Sequence, residues 1–206
     1  MKRFFFFNFL LILSFIVYSC GGVGEDIKAG GGSGVTETVR ILPPEFDKTI
    51  YYSDIAVWQD RNNDGKICDY VNDAFIVVQD NVNVTIRVNP IEGIPNTVQF
   101  SPVRVESVEV KYTPIDNLSP TIPTQYYNLS VVVNSGESAT FPLEVIPYNL
   151  KIALQQRLIC TESIYRYYVT FTFKTVEINS GKRADVEGHL TLMVGDFPEN
   201  YNQDNK

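Results

Sequence analysis

The chain predicts an all-β fold: an antiparallel sandwich of about seven to nine strands, with one short connecting helix. Three observations lead there. Apolar residues recur with a period of two along most of residues 36–198. The segments between those runs are built from Asn, Asp, Gly, Ser and Pro, the residues of tight turns. The stretch of about 160 residues is long enough to bury one substantial core and short enough to need only one.

Taken in order, the first clear strand has Val82, Val84, Ile86 and Val88 alternating with Asn81, Asn83, Thr85 and Arg87. One side of it is therefore apolar, as in a half-buried strand. The next run changes phase. Val103 and Val105 are followed by Val108, Val110 and Tyr112, so keeping both halves on the core requires a β-bulge near Glu106 and Ser107. Alternation resumes at Leu129, Val131 and Val133, then at Phe141, Leu143 and Val145. It returns at Tyr167, Val169, Phe171 and Phe173, and at Val186, Leu190, Leu192 and Val194.

Turns are marked by Asn62-Asn63-Asp64-Gly65, Asn134-Ser135-Gly136 and Asn179-Ser180-Gly181, and by prolines at 90, 95, 102, 114, 120 and 123. This spacing favours antiparallel sheets over βαβ units. Leu150, Ala153, Leu154, Arg157 and Leu158 fit a short helix with Asn149 as N-cap, a connector between sheets. A strand through Leu150, Ile152 and Leu154 fits the same residues. Tyrosines cluster at Tyr51-Tyr52, at Tyr126-Tyr127 and at Tyr165, Tyr167 and Tyr168. Neighbours along a strand point to opposite faces, so one of each pair belongs to the core and the other to the surface. Exposed tyrosines suit protein or glycan contact, and an ordinary solvated sheet face explains them equally.

A sandwich of this strand count is of the immunoglobulin or fibronectin type III sort. Residues Tyr165 to Phe197, with a turn at Gly181 and an ending in Gly195-Asp196-Phe197, resemble the closing hairpin of Ig-like domains in envelope lipoproteins. Residues 1–22 carry a second resemblance. Lys2 and Arg3 precede an apolar run from Phe4 to Val17, and Cys20 follows Val17, Tyr18 and Ser19. The run is about 14 residues long, whereas a spanning helix needs about 20. With Val17 three before the cysteine and Ser19 directly before it, the segment resembles the lipobox of bacterial lipoprotein signal peptides.

That resemblance implies removal of residues 1–19 and acylation of Cys20, which becomes a lipidated N-terminus. A short uncleaved anchor is the alternative. Two or more acyl chains hold a protein on a bilayer almost permanently. Gly21, in the place where Asp signals inner-membrane retention in enterobacterial lipoproteins, leans toward the outer membrane. Residues 20–35 then form a lipidated, glycine-rich tether with a reach of roughly 20 Å. Residues 36–198 form the domain and residues 199–206 a polar tail.

The net charge of −7 becomes −9 once Lys2 and Arg3 are removed. Nucleic-acid affinity comes mainly from Lys and Arg on phosphates, so an acidic domain is a poor candidate for it. Membrane contact falls to the lipid alone. After Cys20, Cys68 and Cys160 remain. An even pair in an exported protein points to a disulfide, with two buried free thiols as the alternative.

The motif richest in chemistry is Asp60-Arg61-Asn62-Asn63-Asp64-Gly65-Lys66-Ile67-Cys68-Asp69. It resembles the first half of EF-hand and dockerin calcium loops. The resemblance implies Ca2+ held by Asp60, Asn62, Asp64 and the Lys66 carbonyl, with Asp69 nearby. Loop position twelve, which should carry a bidentate carboxylate, is Val71, while Asp69 and Asp73 lie near. An Asn-Asp-Gly turn before a strand at Ala74 accounts for the same residues.

Catalytic constellations are thin. His189 is the sole histidine and shares parity with Glu187 and Thr191, opposite Val186, Leu190 and Leu192. No GxSxG, HExxH or SxxK occurs. The reading is therefore a non-enzymatic, membrane-anchored envelope module that binds or supports a protein or glycan partner. A calcium-dependent adhesion or sensor domain is the first alternative, and a hydrolase the second.

Overall fold

The computed structural model describes residues 27–29, 35–42, 50–65, 68–90 and 101–197. Residues 1–19, Cys20 and the polar tail 199–206 lie outside the described residues, as does Lys66. In chain order the strands are β1 (Ile27–Ala29), β2 (Val35–Leu42), β3 (Ile50–Asp54), β4 (Val57–Gln59), β5 (Ala74–Ile76), β6 (Asp80–Pro90), β7 (Val103–Pro114), β8 (Gln125–Val133) and β9 (Ser138–Ile146). Helix α1 (Tyr148–Leu158) follows, then β10 (Tyr165–Glu177) and β11 (Arg183–Gly195). Nine of the strands form two sheets, a four-stranded one in the order β1-β2-β6-β9 and a five-stranded one in the order β3-β11-β10-β7-β8. Strands β4 and β5 form a separate two-stranded sheet. The protein is thus an all-β sandwich.

The period-two pattern is what closes the two layers. Val82, Val84, Ile86 and Val88 of β6 turn one buried row toward Val169, Phe171 and Phe173 of β10 and Val186, Leu192 and Val194 of β11. Phe141 of β9 meets Phe173 edge-on with ring centroids 6.4 Å apart. The Tyr112 hydroxyl donates across the core to the Val145 carbonyl at 2.7 Å. Burial pushes the Tyr112 phenol well above its usual range, so it stays protonated as a donor.

The predicted bulge is present. The β7 ladder shifts register between Val105 and Ser107 against β8, and between Lys174 and Thr175 against β10. Glu106 is left over, and its carboxylate sits between Arg104 and Arg183, each 2.8 Å away. The hydrogen bond from Arg104 holds that carboxyl below its ordinary range, with Arg183 adding to the effect. The β10–β11 hairpin also forms where expected: Gly181 has φ +69 and donates to the Glu177 carbonyl, a left-handed geometry open to glycine at little cost. The tyrosine pairs split as alternation requires: Tyr51 and Tyr167 are buried, Tyr126 and Tyr168 exposed.

Three features differ from the sequence expectation. Strand β3 joins β11 in parallel, Ile50 opposite Thr191 through Asp54 opposite Gly195. Its partner lies at the other end of the chain, so no hairpin dictates its direction. Within the segment expected to be a glycine-rich tether, Ile27, Lys28 and Ala29 pair with Val39, Thr38 and Glu37, because the β2 edge offers ladder groups to any extended segment beside it. The segment at 148–158 is a helix, and it starts one residue before Asn149, after Pro147. Pro147 cannot donate to a ladder and is suited to a helix start. It ends β9, and its carbonyl accepts from Lys151 N at 2.9 Å.

Helix α1 buries Leu154, Leu158 and, unexpectedly, Lys151. Lys151 is 1% exposed, and its Nζ donates to Asp80 Oδ2 at 2.9 Å and to the Val78 carbonyl at 2.6 Å. Asp80 also accepts from the hydroxyls of Tyr51 and Ser53 on β3. One carboxylate thereby joins the first residue of β6, the helix and the edge strand of the opposite sheet. Burial and the neighbouring Asp80 push the Tyr51 phenol well above its usual range, keeping it a donor.

Removing one partner of a buried pair strands the other's charge, at a cost of about 3–5 kcal/mol. Lys151→Met should therefore lower the melting temperature by roughly 10 °C. Asp80→Asn combined with Lys151→Met should recover most of that loss, because no bare charge remains. Equal melting temperatures for the single and double variants would show that the pair is not coupled.

Candidate functional site

The segment between β3 and β6 leaves the sandwich at one end and returns. Its root is fixed by backbone bonding: Ile55 N donates to the Gly195 carbonyl at 2.8 Å, and Asp54 Oδ1 accepts from Phe197 N at 3.2 Å. Ile55 and Ala56 are fully buried there. Strand β4 then pairs with β5, Trp58 opposite Phe75. Trp58, Phe75 and Tyr70 pack as an aromatic trio, with Trp58 centroids 5.1 Å from Phe75 and 5.4 Å from Tyr70. The Trp58 indole N–H donates to Asp196 Oδ1 at 3.3 Å.

The Cys68–Cys160 disulfide staples the tip of this excursion to the helix exit, with Cα atoms 5.6 Å apart. Both half-cystines have positive φ, +72 and +56, a region L-residues adopt only at a cost. For Cys160 the reason is visible. Ile159 has φ −59 and ψ 131, and Thr161 N donates to the Leu158 carbonyl at 3.0 Å, so Leu158–Thr161 is a type II turn whose third position favours glycine. The backbone N–H of Cys160 donates to Asp196 Oδ2, so the same carboxylate that holds Trp58 also holds this turn. Among the described residues, Cys68, Cys160 and Asp196 form the one trio of Cys, His, Asp or Glu ligand atoms within 4.8 Å of one another. With the sulfurs bonded to each other, neither is a thiolate, the form in which cysteine ligates a metal.

The loop that resembles a calcium site is built as follows. Gly65, at φ +73, turns the chain so that its N–H donates to Asp60 Oδ2 at 2.9 Å. Asn62 and Asp64 bond each other: Asp64 N to Asn62 Oδ1 at 3.2 Å and Asn62 Nδ2 to Asp64 Oδ2 at 3.1 Å. Asp69 accepts from Val71 N at 3.0 Å and from the Asn72 side chain at 2.6 Å, which closes its own turn. Val71, at loop position twelve, is 90% exposed. In its place Asp73 approaches the start of the loop, with Oδ1 accepting from Arg61 N at 3.2 Å. Asp60 Oδ1 and Asp73 Oδ2 are buried and have no hydrogen-bond partner. Each of these carboxylates thus keeps one oxygen unbonded, whereas Asn62 and Asp64 are engaged with each other, and among the described residues neither Asp60 nor Asp73 belongs to a close trio of ligand atoms.

The sequence pattern pointed to the disulfide and to the loop, but not to the junction at Asp196 or the aromatic trio. The only tryptophan of the chain, with Tyr70 and Phe75 flanking the polar loop, was the available signal for the latter. The excursion also presents Tyr70, Val71, Ile76 and Val78, all large and exposed. His189 lies elsewhere, on the outer face of the five-stranded sheet. There it stacks on Tyr168 with centroids 5.2 Å apart, and its Nδ1 is 3.3 Å from the Thr170 hydroxyl. Comparison with protein-family models, with curated proteins and with solved structures finds no match to this chain.

The disulfide bridges a sequence separation of 92, for which loop entropy stabilises by about 4–5 kcal/mol. Reduction, or Cys68→Ser with Cys160→Ser, should lower the melting temperature by on the order of 10 °C. An unchanged melting temperature on reduction, or alkylation of both thiols in unreduced native protein, would contradict the staple.

Proposed function

We propose that this protein is a lipid-anchored module of the cell envelope, held at the outer membrane through Cys20, that performs no chemistry and binds a protein partner through its stapled end. The observation that carries this reading is the fixed display of Tyr70, Val71, Ile76 and Val78 on the excursion. Exposed apolar side chains grouped on one feature mark contact sites. Here the disulfide, the aromatic trio and Asp196 order the feature before any partner arrives, so less entropy is lost on association. Valine and isoleucine beside tyrosine suit a protein surface better than a glycan, whose rings prefer flat aromatic platforms set among polar groups.

A second reading is favoured by the unpaired buried oxygens of Asp60 and Asp73: the loop takes Ca2+, with Asp73 in the role that Val71 leaves vacant. A cation there draws the two ends of the loop together and stiffens the contact surface.

The anchor and the contact are tested together in cells. A photoreactive residue at Val71 should yield a discrete adduct from the membrane fraction, and one at Lys182, in the turn at the far end of β10, should not. Cys20→Ala should move the chain out of that fraction. Equal adduct yields at both positions would refute the stapled end as the contact surface, and a sedimenting Cys20→Ala chain would refute the anchor.

For calcium, saturating Ca2+ should raise the melting temperature of the native chain by several degrees. It should leave the Asp60→Asn, Asp73→Asn chain unmoved. No rise in the native chain defeats this second reading.

A further inference from the structure

The two sheets have four edges, β1 and β9 on one and β3 and β8 on the other. Proteins guard such edges, because their unpaired N–H and C=O groups invite another strand. Three of the four carry a guard. Strand β1 is three residues long and includes Lys28. Strand β3 is five residues long and ends in Asp54. Strand β9 carries Pro142 and Glu144. Strand β8, QYYNLSVVV, is nine residues long with no charge, proline or glycine. Its composition is that of a strand paired on both sides, yet among the described residues it pairs only with β7.

Its outward row is Tyr126, Asn128, Ser130 and Val132, all exposed. Tyr126 and Val132 are among the large apolar side chains most open to solvent, at 72% and 51%. Writing β8 antiparallel to itself about Leu129 sets Tyr126 opposite Val132, Asn128 opposite Ser130, and Tyr127 opposite Val131. The first is an aromatic pair with a β-branched residue, which is a favoured cross-strand contact, and the second is a polar pair able to hydrogen-bond. Each pair occurs twice by symmetry, as an isologous contact requires. The absence of charge means that nothing repels when like meets like. The one irregularity in β8, the register shift against β7 between Val105 and Ser107, falls opposite Leu129 and Ser130. It therefore adjoins the two-fold axis and takes in Ser130, so the self-pairs clear of it are those of Gln125–Tyr127 with Val131–Val133.

We infer that β8 is the interface for a second copy of this chain, the two β8 strands pairing antiparallel about Leu129 so that both five-stranded sheets become one continuous sheet.

The test uses the full chain in nonionic detergent, with mass measured by sedimentation velocity. Asn128→Lys with Ser130→Lys places like charges opposite one another in every self-pair, and Asn128→Glu with Ser130→Glu does the same with opposite sign. Both positions face outward and are exposed, so the fold should be unaffected, which melting curves verify. The native chain should sediment at twice the protein mass of either variant, each variant alone should be monomeric, and an equal mixture of the two should recover the doubled mass. The lysine variant also controls for two chains sharing a micelle. A monomeric native chain would overturn the inference and leave β8 open to a strand from a different protein. A lysine variant that stays dimeric, or a mixture that stays monomeric, would overturn the register.

Discussion

One carboxylate organises this molecule. Asp80 opens β6, the second strand of the four-stranded sheet to be buried on both sides by neighbours. It accepts from Lys151 on the connecting helix and from Tyr51 and Ser53 on the edge strand of the other sheet. Three separate segments converge on two oxygen atoms. The remaining proton-bearing nitrogen contact of Lys151 is made to the Val78 carbonyl, just outside β6. An ion pair placed this deeply stabilises little relative to apolar residues of equal volume. Its effect is on which arrangement is adopted, since a helix rotated by one residue, or β3 slipped by one, leaves a buried charge or hydroxyl without a partner.

The dependence runs outward from there. Lys151 sets the rotation of α1, and that rotation sets where Leu158 ends the helix and where the type II turn presents Cys160. The position of Cys160 fixes Cys68, and Cys68 fixes the excursion with its polar loop and its exposed Tyr70 and Val71. Asp196 closes the circuit from the other side, because the last strand delivers it to both Trp58 and the Cys160 N–H. The apolar core supplies most of the driving force, each fully buried Val, Leu or Phe contributing about 1.5–3 kcal/mol. Packing of that kind is tolerant of small slips. The polar junctions at Asp80 and Asp196 are not, and they stand at the same end as the excursion.

Much of this was legible in the residues themselves. Period-two alternation named the core rows of β6, β9, β10 and β11, and the phase change around Glu106 named the bulge, because a buried face admits no other solution. The Asn-Ser-Gly turns and the split of each tyrosine pair followed from equally local rules, while the cysteine pairing, across a separation of 92, rested on count alone. The buried Lys151 was not legible, since a lysine in a short connector reads as solvated and its partner lies far away in sequence. Nor was the parallel seating of β3, which depends on a segment close to the end of the chain. In the polar loop, spacing pointed to Asp60, Asn62, Asp64 and Asp69, but Asp69 closes its own turn and Asp73 is the carboxylate that bonds the start of the loop, at Arg61 N. Sequence spacing counts residues along a ligand loop. It does not register that a short Asx-type turn diverts one of them.

The two flanks of the sandwich are built differently. Strands β1 and β2 lie on the flank of β3 and β11, whereas β8 and β9 close the opposite flank, joined by the turn at Asn134–Glu137. Strand β1, which begins at Ile27, therefore stands on the first flank. The turn joining β8 to β9 is itself drawn in by β6, with Gly136 N donating to Val88 O and Val88 N to the Glu137 carbonyl, so the second flank is held by the middle of the four-stranded sheet and does not rely on its own edges for order. That flank keeps its place through backbone bonds to the middle of the four-stranded sheet, while the β8 edge beside it carries no charge and, among the described residues, pairs only with β7.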